Sequence, residues 1–127
     1  MGAPPPAALD VLVVDDHADT AAMLARVLAA AGHRVRRADG FAAAVAAAAA
    51  EPVDLLLADL TLPDGDGCDQ LAAVRAHRPP CRGAALTGRV YDADRERCQA
   101  AGHDWFLPKP VPDDVVLAAV AAAAAGR

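Results

Sequence analysis

Short aliphatic runs alternate with helix-forming stretches along the whole chain, and this alternation constrains the fold more than any other feature. Val11–Val14, Arg34–Ala38, Leu55–Ala58, Gly83–Leu86 and Trp105–Leu107 read as strands between Gly, Pro or acidic residues. A helix capped at Asp19 and stopped by Gly32 follows the first strand. Phe41–Ala50, closed by Glu51-Pro52, follows the second. Cys68–Ala76, Asp92–Ala101 and a last helix opening at Pro112-Asp113-Asp114 and running to Gly126 complete the series. Neighbouring parallel strands need a long crossover, and the crossover helices cover both faces of the sheet. The spacing therefore predicts an α/β protein, doubly wound around a five-stranded parallel sheet.

The composition fits one such unit. The chain has 127 residues, 55 % of them hydrophobic but only 3 % aromatic, so aliphatic side chains and alanine must fill the core. A net charge of −5 and scattered basic residues argue against a nucleic-acid surface. Three cysteines, without a CxxC pair, make a disulfide framework or a zinc site a poor reading and point to a reducing cytoplasm. The longest apolar run, Val115–Ala125, is shorter than the roughly 20 residues that span a bilayer. The opening MGAPPPAALD lacks the basic and apolar regions of a signal peptide. Residues 1–9 read as a Pro-rich leader or linker remnant and residues 10–125 as the folded domain. The alanine runs Ala46–Ala50 and Ala121–Ala125 read as helix surface.

In sheets of this kind, reacting groups gather beyond the carboxyl ends of the strands, where the strand order reverses. The first strand runs into Asp15-Asp16, the third into Asp59 and the fourth into Thr87, and Lys109 follows the fifth. Taken singly, Asp15 or Asp16 suits a helix cap and Lys109 a surface cation. Taken together, acids, a hydroxyl and an ammonium share one edge of one sheet. Two carboxylates about 4 Å apart repel by roughly 4 kcal/mol at an effective dielectric of 20. Lys109 offsets part of that, and a hard divalent cation such as Mg²⁺ completes the balance. Asp59 can then act as a nucleophile toward phosphorus, a transfer that asks the protein mainly for positioning and charge stabilisation. A core strand ending in a carboxylate is a rigid mount for such a group.

The segments VLVVDD, LLLADLTLPDGDG, ALTG and FLPKP, in that order, resemble the receiver domain of bacterial two-component response regulators. VLVVDDHADT and ADLTLPDGDG look most like receivers attached to hybrid histidine kinases. The resemblance implies a flavodoxin-like (βα)₅ fold with strand order 2-1-3-4-5. It implies that Asp59 takes a phosphoryl group from a phosphohistidine on a histidine kinase or histidine phosphotransfer domain. Asp16, Asp59 and the Thr61 backbone carbonyl would hold Mg²⁺, with Asp15 acting through metal-bound water. Thr87 and Lys109 would bind the phosphoryl group, and Thr87 and Phe106 would form the switch. Thr61 and Arg89 occupy the positions that tune phosphoryl lifetime, and the Lys109-Pro110 peptide is expected to be cis.

The output surface would be the fourth helix, fifth strand and fifth helix, and Trp105, next to Phe106, is expected to report its change. A cytoplasmic signalling domain follows, one that phosphorylates and dephosphorylates itself but turns over no separate substrate. It is expected to be a monomer or weak dimer, without direct contact to nucleic acid or membrane.

Three rivals share parts of this pattern. A haloacid-dehalogenase-type phosphatase also uses an aspartyl-phosphate, but wants an Asp where Thr61 stands. A flavodoxin-like electron carrier would replace DDHADT with a hydroxyl- and Gly-rich loop. A degenerate receiver, acting only as an interaction module, would lack some of the acidic, hydroxyl and lysine positions that are all filled here. His17, His33, His77 and His103 have no ligand spacing and read as surface residues. Asp64 and Asp66 read as turn residues, since no bidentate Glu closes a calcium loop.

Overall fold

A computed structural model describes residues 8–62, 64–88 and 92–125. Its main sheet is built from β1 (Asp10–Val14), β2 (Arg34–Ala38), β3 (Leu55–Asp59), β6 (Arg82–Thr87) and β7 (Trp105–Pro108). A small hairpin of β4 (Thr61–Leu62) and β5 (Gly65–Asp66) interrupts the count. The helices are α1 (Ala18–Ala30), α2 (Phe41–Ala50), α3 (Gly67–His77), α4 (Asp92–Ala100) and α5 (Asp113–Ala125). The main sheet is parallel in the order β2-β1-β3-β6-β7. With the hairpin set aside this is the flavodoxin-like order 2-1-3-4-5, reversing beside β1.

Side-chain alternation divides the core. Leu55 and Leu57 of β3 face α1 and α5, meeting Leu24, Leu28, Val116 and Val120. Leu56 and Ala58 face the other way, onto Ala44 and Ala48 of α2 and Leu71 and Val74 of α3. Every residue of β3 is buried, which is why its sequence reads as an unbroken apolar run. A third cluster of Leu60, Cys68, Ala85 and Cys98 fills the space under α4. Leu9, in the stretch read as a leader, is 1 % exposed and belongs to the core.

Several local expectations need correction. Asp19 does not cap α1, which begins at Ala18 with His17, two residues earlier, at the N-cap and no side-chain cap hydrogen bond. Asp15 has turned instead toward the strand edge, where its Oδ1 accepts the His17 N–H at 2.9 Å. The alanine runs are not wholly surface, since the helical period carries Ala48 and Ala123 into the core. His103 is buried too, at 7 % exposure. Gly32, at φ 97°, does close α1 as expected.

The turn residue Asp64 does more than shape its turn. Gly40 at the N-cap of α2 has no side chain to offer, and Asp64 supplies the missing acceptor. Its carboxylate accepts the Phe41 N–H at 2.7 Å and the Ala42 N–H at 3.1 Å. These bonds hold the Asp64 carboxyl below its ordinary range. Close approach requires glycine at 65, where a Cβ would lie 2.6 Å from the Phe41 ring.

Candidate functional site

The strand registers bring the predicted groups together. Val14 pairs with Ala58, Asp59 with Leu86, and Thr87 with Pro108, so the chain ends of β1, β3, β6 and β7 lie side by side. Asp15, Asp59 and Thr87 are 2 %, 5 % and 2 % exposed. Asp16 and Thr61 stand at the solvent rim. Lys109, whose backbone N–H donates to the Thr87 carbonyl at 2.6 Å, returns over this edge after Pro108. The Lys109-Pro110 peptide is cis, as expected.

The Lys109 Nζ donates to Asp15 Oδ2 at 2.7 Å and to Asp59 Oδ2 at 2.9 Å. Burial alone would pull the lysine pKa down, but the hydrogen bonds and charges of Asp15 and Asp59 outweigh it, and the net shift is upward. The ammonium stays charged. Asp59 Oδ1 accepts the Thr61 N–H at 2.9 Å, so both carboxylate oxygens are held by donors from different elements. Ligand atoms of Asp15, Asp16, His17 and Asp59 all lie within 4.8 Å of one another. A cavity of about 510 Å³, lined by Asp15, Asp16, Arg37 and Asp39, opens beside them.

Sequence reasoning missed the part His17 takes in this cluster. Its Nδ1 is 3.3 Å from Asp15 Oδ1 and 3.6 Å from Asp16 Oδ1. Adjacency to Asp15-Asp16 was the available signal. Phe106 sits apart from the acids, packed on Leu60, Ala85 and Cys98 beneath α4, with the Arg95 guanidinium 5.2 Å over its ring. Trp105 packs on the opposite, α1/α5 side, with the Arg82 guanidinium 4.7 Å over its ring. Arg89 lies outside the described residues.

The fold and site are those of a doubly wound α/β domain whose parallel five-stranded sheet gathers acids, a hydroxyl and a lysine at its carboxyl edge. The family model for the response regulator receiver domain matches residues 11–121, and the chain belongs to that family. It is similar to the acid tolerance regulatory protein ActR of Rhizobium meliloti, 34 % identical over 87 % of this chain and 57 % of ActR. Among solved structures it is similar to the NarL signal receiver domain of Mycobacterium tuberculosis, at 30 % identity and TM-score 0.85. That match covers 96 % of this chain and 100 % of the other. A response regulator from Burkholderia pseudomallei, solved with a phosphorylated aspartic acid, calcium ion and citrate, is also similar. It gives 31 % identity and TM-score 0.83, over 93 % of this chain and 69 % of that one. The chain spans about half the length of the curated relatives it matches. Among the described residues, no helix is long and apolar enough to cross a membrane.

Proposed function

We propose that this domain takes a phosphoryl group from a phosphohistidine onto Asp59. The donor is a histidine kinase or a histidine phosphotransfer domain. One observation carries the reading: Lys109 Nζ bridges the buried Asp15 and Asp59 carboxylates at the carboxyl edge of the sheet. In the transfer, an Asp59 oxygen forms the new bond to phosphorus as the bond from phosphorus to the donor imidazole nitrogen breaks. The imidazole leaves with that electron pair and takes up a proton. β3 supplies the rigid mount, and the Thr61 N–H on Oδ1 fixes the carboxylate plane.

The residues present fit a divalent cation, because three carboxylates face one ammonium within a few ångströms. Asp16, Asp59 and the Thr61 carbonyl would hold Mg²⁺, with Asp15 acting through water, and the ion would supply positive charge against the phosphoryl oxygens. Lys109 contributes to the same end, turning its ammonium from Asp59 to the incoming group. Thr87 donates its hydroxyl to the phosphoryl group, and Phe106 responds from the far side of β6. The surface of α4, β7 and α5 then carries the signal, with Thr61 and Arg89 setting its lifetime.

In this reading the domain spans residues 10–125, with Leu9 packed against it and a Pro-rich linker before it. It works in the cytoplasm as a monomer or weak dimer and turns over no separate substrate. Incubation with acetyl phosphate and Mg²⁺, read by intact mass, tests the proposal. Wild type gains one phosphoryl group, whereas Asp59→Asn, or wild type in excess EDTA, gains none. Turnover of an added phosphomonoester would favour a phosphatase instead. An undiminished adduct in EDTA would remove the metal from the account.

A further inference from the structure

Three thiols are buried in this chain, and two of them touch. Cys68, the second residue of α3, and Cys98, in the last turn of α4, bring their Sγ atoms to 3.2 Å in the small core under Leu60 and Phe106. A disulfide bond is about 2.05 Å long, so a closure of roughly 1 Å would join them. We propose that Cys68 and Cys98 are an oxidation site, forming a reversible disulfide that fastens α4 to α3.

One of the two sulfurs belongs to a residue that borders an opening. Cys98 forms part of the wall of a cavity of about 320 Å³ that opens between α4 and β7. Arg95, Gln99, His103, Asp104, Trp105 and Phe106 line the remainder. A peroxide, hardly larger than water, fits that space. Cys68 and Cys98 are both nearly closed to bulk solvent, at 3 % and 1 % exposure, and Cys68 lies in the first turn of α3 with its sulfur against that of Cys98. The chemistry starts from that opening. Hydrogen peroxide converts the Cys98 thiol to a sulfenic acid and leaves as water. The Cys68 sulfur, giving up its proton, then attacks the Cys98 sulfur and expels a second water. Two thiols lose two electrons and two protons, and one peroxide is reduced to two waters. Transient disulfides of this kind are compatible with a reducing compartment, where thiol reductants restore the pair.

Cys81 is the built-in control. It is 1 % exposed, its Sγ donates to the Arg82 carbonyl at 3.3 Å, and burial pushes its thiol up to about 12. It has no cysteine partner and should remain reduced.

The test uses the whole reduced chain, treated with hydrogen peroxide and then labelled with a maleimide under denaturing conditions. Wild type is expected to lose two hydrogens in intact mass and to keep one reactive thiol, at Cys81. Digestion should yield a Cys68 peptide joined to a Cys98 peptide, and dithiothreitol should restore all labelling. Asp59→Asn should behave like wild type, so the result does not depend on phosphoacceptance. Cys68→Ser should stop at a sulfenic acid on Cys98 that dimedone traps. Peptide mapping of wild type decides the matter alone if that variant does not fold. Hydrogen exchange at α4 amides should slow in the crosslinked chain. Three reactive thiols after peroxide, a link through Cys81, or a link between two chains would overturn the site. Unchanged α4 exchange would overturn the fastening.

Discussion

Trp105 and Phe106 are consecutive in β7 and lie on opposite faces of the sheet, the indole against the α1/α5 core and the phenyl ring beneath α4. Alternation along a strand makes this unavoidable. The expectation that Trp105 reports the movement of Phe106 rests on sequence adjacency, and the opposite packing of the two rings argues for a weak response. Wild-type tryptophan emission should change little when beryllofluoride and Mg²⁺ are added. A Trp105→Phe, Phe106→Trp double variant should change strongly, and adding Thr87→Ala should suppress most of that change. Equal responses from Trp105 and a tryptophan at 106 would mean that the two faces move together.

Lys109 holds Asp15 and Asp59 together, so its removal strands buried charge. Lys109→Met should lower stability by about 2 kcal/mol at neutral pH without divalent metal, below the usual cost because the ammonium reaches solvent. The folded-state pKa of Lys109 is raised, so its contribution is fully present below its ordinary value of 10.5 and is lost as pH rises through the folded value. Urea melts should show a constant gap between variant and wild type up to that pH and a narrowing gap above it. A gap of zero at neutral pH would mean that the ion pairs only offset their own desolvation.

Gln70 of α3 is fully buried, and among the described residues neither its Oε1 nor its Nε2 has a hydrogen-bond partner. Gln70→Met keeps the length and removes the polar atoms. It should raise stability by about 1–2 kcal/mol, seen as a higher urea midpoint at an unchanged slope. A lower midpoint would show that the amide is satisfied in solution.

His103 gives the fold a pH dependence of its own. Its Nδ1 is 3.2 Å from the Cys98 carbonyl, and its Nε2 is buried without a hydrogen-bond partner among the described residues. Burial lowers its pKa below the ordinary 6.5, outweighing the Cys98 carbonyl and Asp104, which favour the charged ring. The unfolded chain therefore takes up a proton first, and stability falls as pH drops below 6.5 toward the folded value. His103→Leu should flatten that slope, leaving a smaller part to His33, whose pKa burial also lowers. An unaltered slope in the variant would show that protonated His103 is accommodated in the fold.

The periodic signals carried the fold. β2 and α2 fall on the residues expected, β1, β3, β6, β7 and α3 differ by a residue at one or both ends, and the β4–β5 hairpin was not foreseen. Asp15, Asp59, Thr87 and Lys109 were legible because a parallel sheet sends every strand end to the same edge. What could not be read was tertiary. Asp64 caps a helix that begins 23 residues earlier in the chain, and no local pattern records that distance. His103 looks like a helix-end residue in sequence, yet the turn at Gly102 folds it back under α4. The contact of Cys68 with Cys98, 30 residues apart, exists only because α3 and α4 share one face.

The β4–β5 hairpin is a short span with an abutment at each end. One end starts at the Thr61 amide, bound to Asp59, and the other rests through Asp64 on the first amides of α2. Such a span cannot swing as a slack loop does. A pull on Thr61 must either stretch it or drag its far anchor, which puts α2 on the load path from Asp59 although it lies away from the β7 edge. Cutting the far anchor with Asp64→Ala would remove that link between the hairpin and the start of α2.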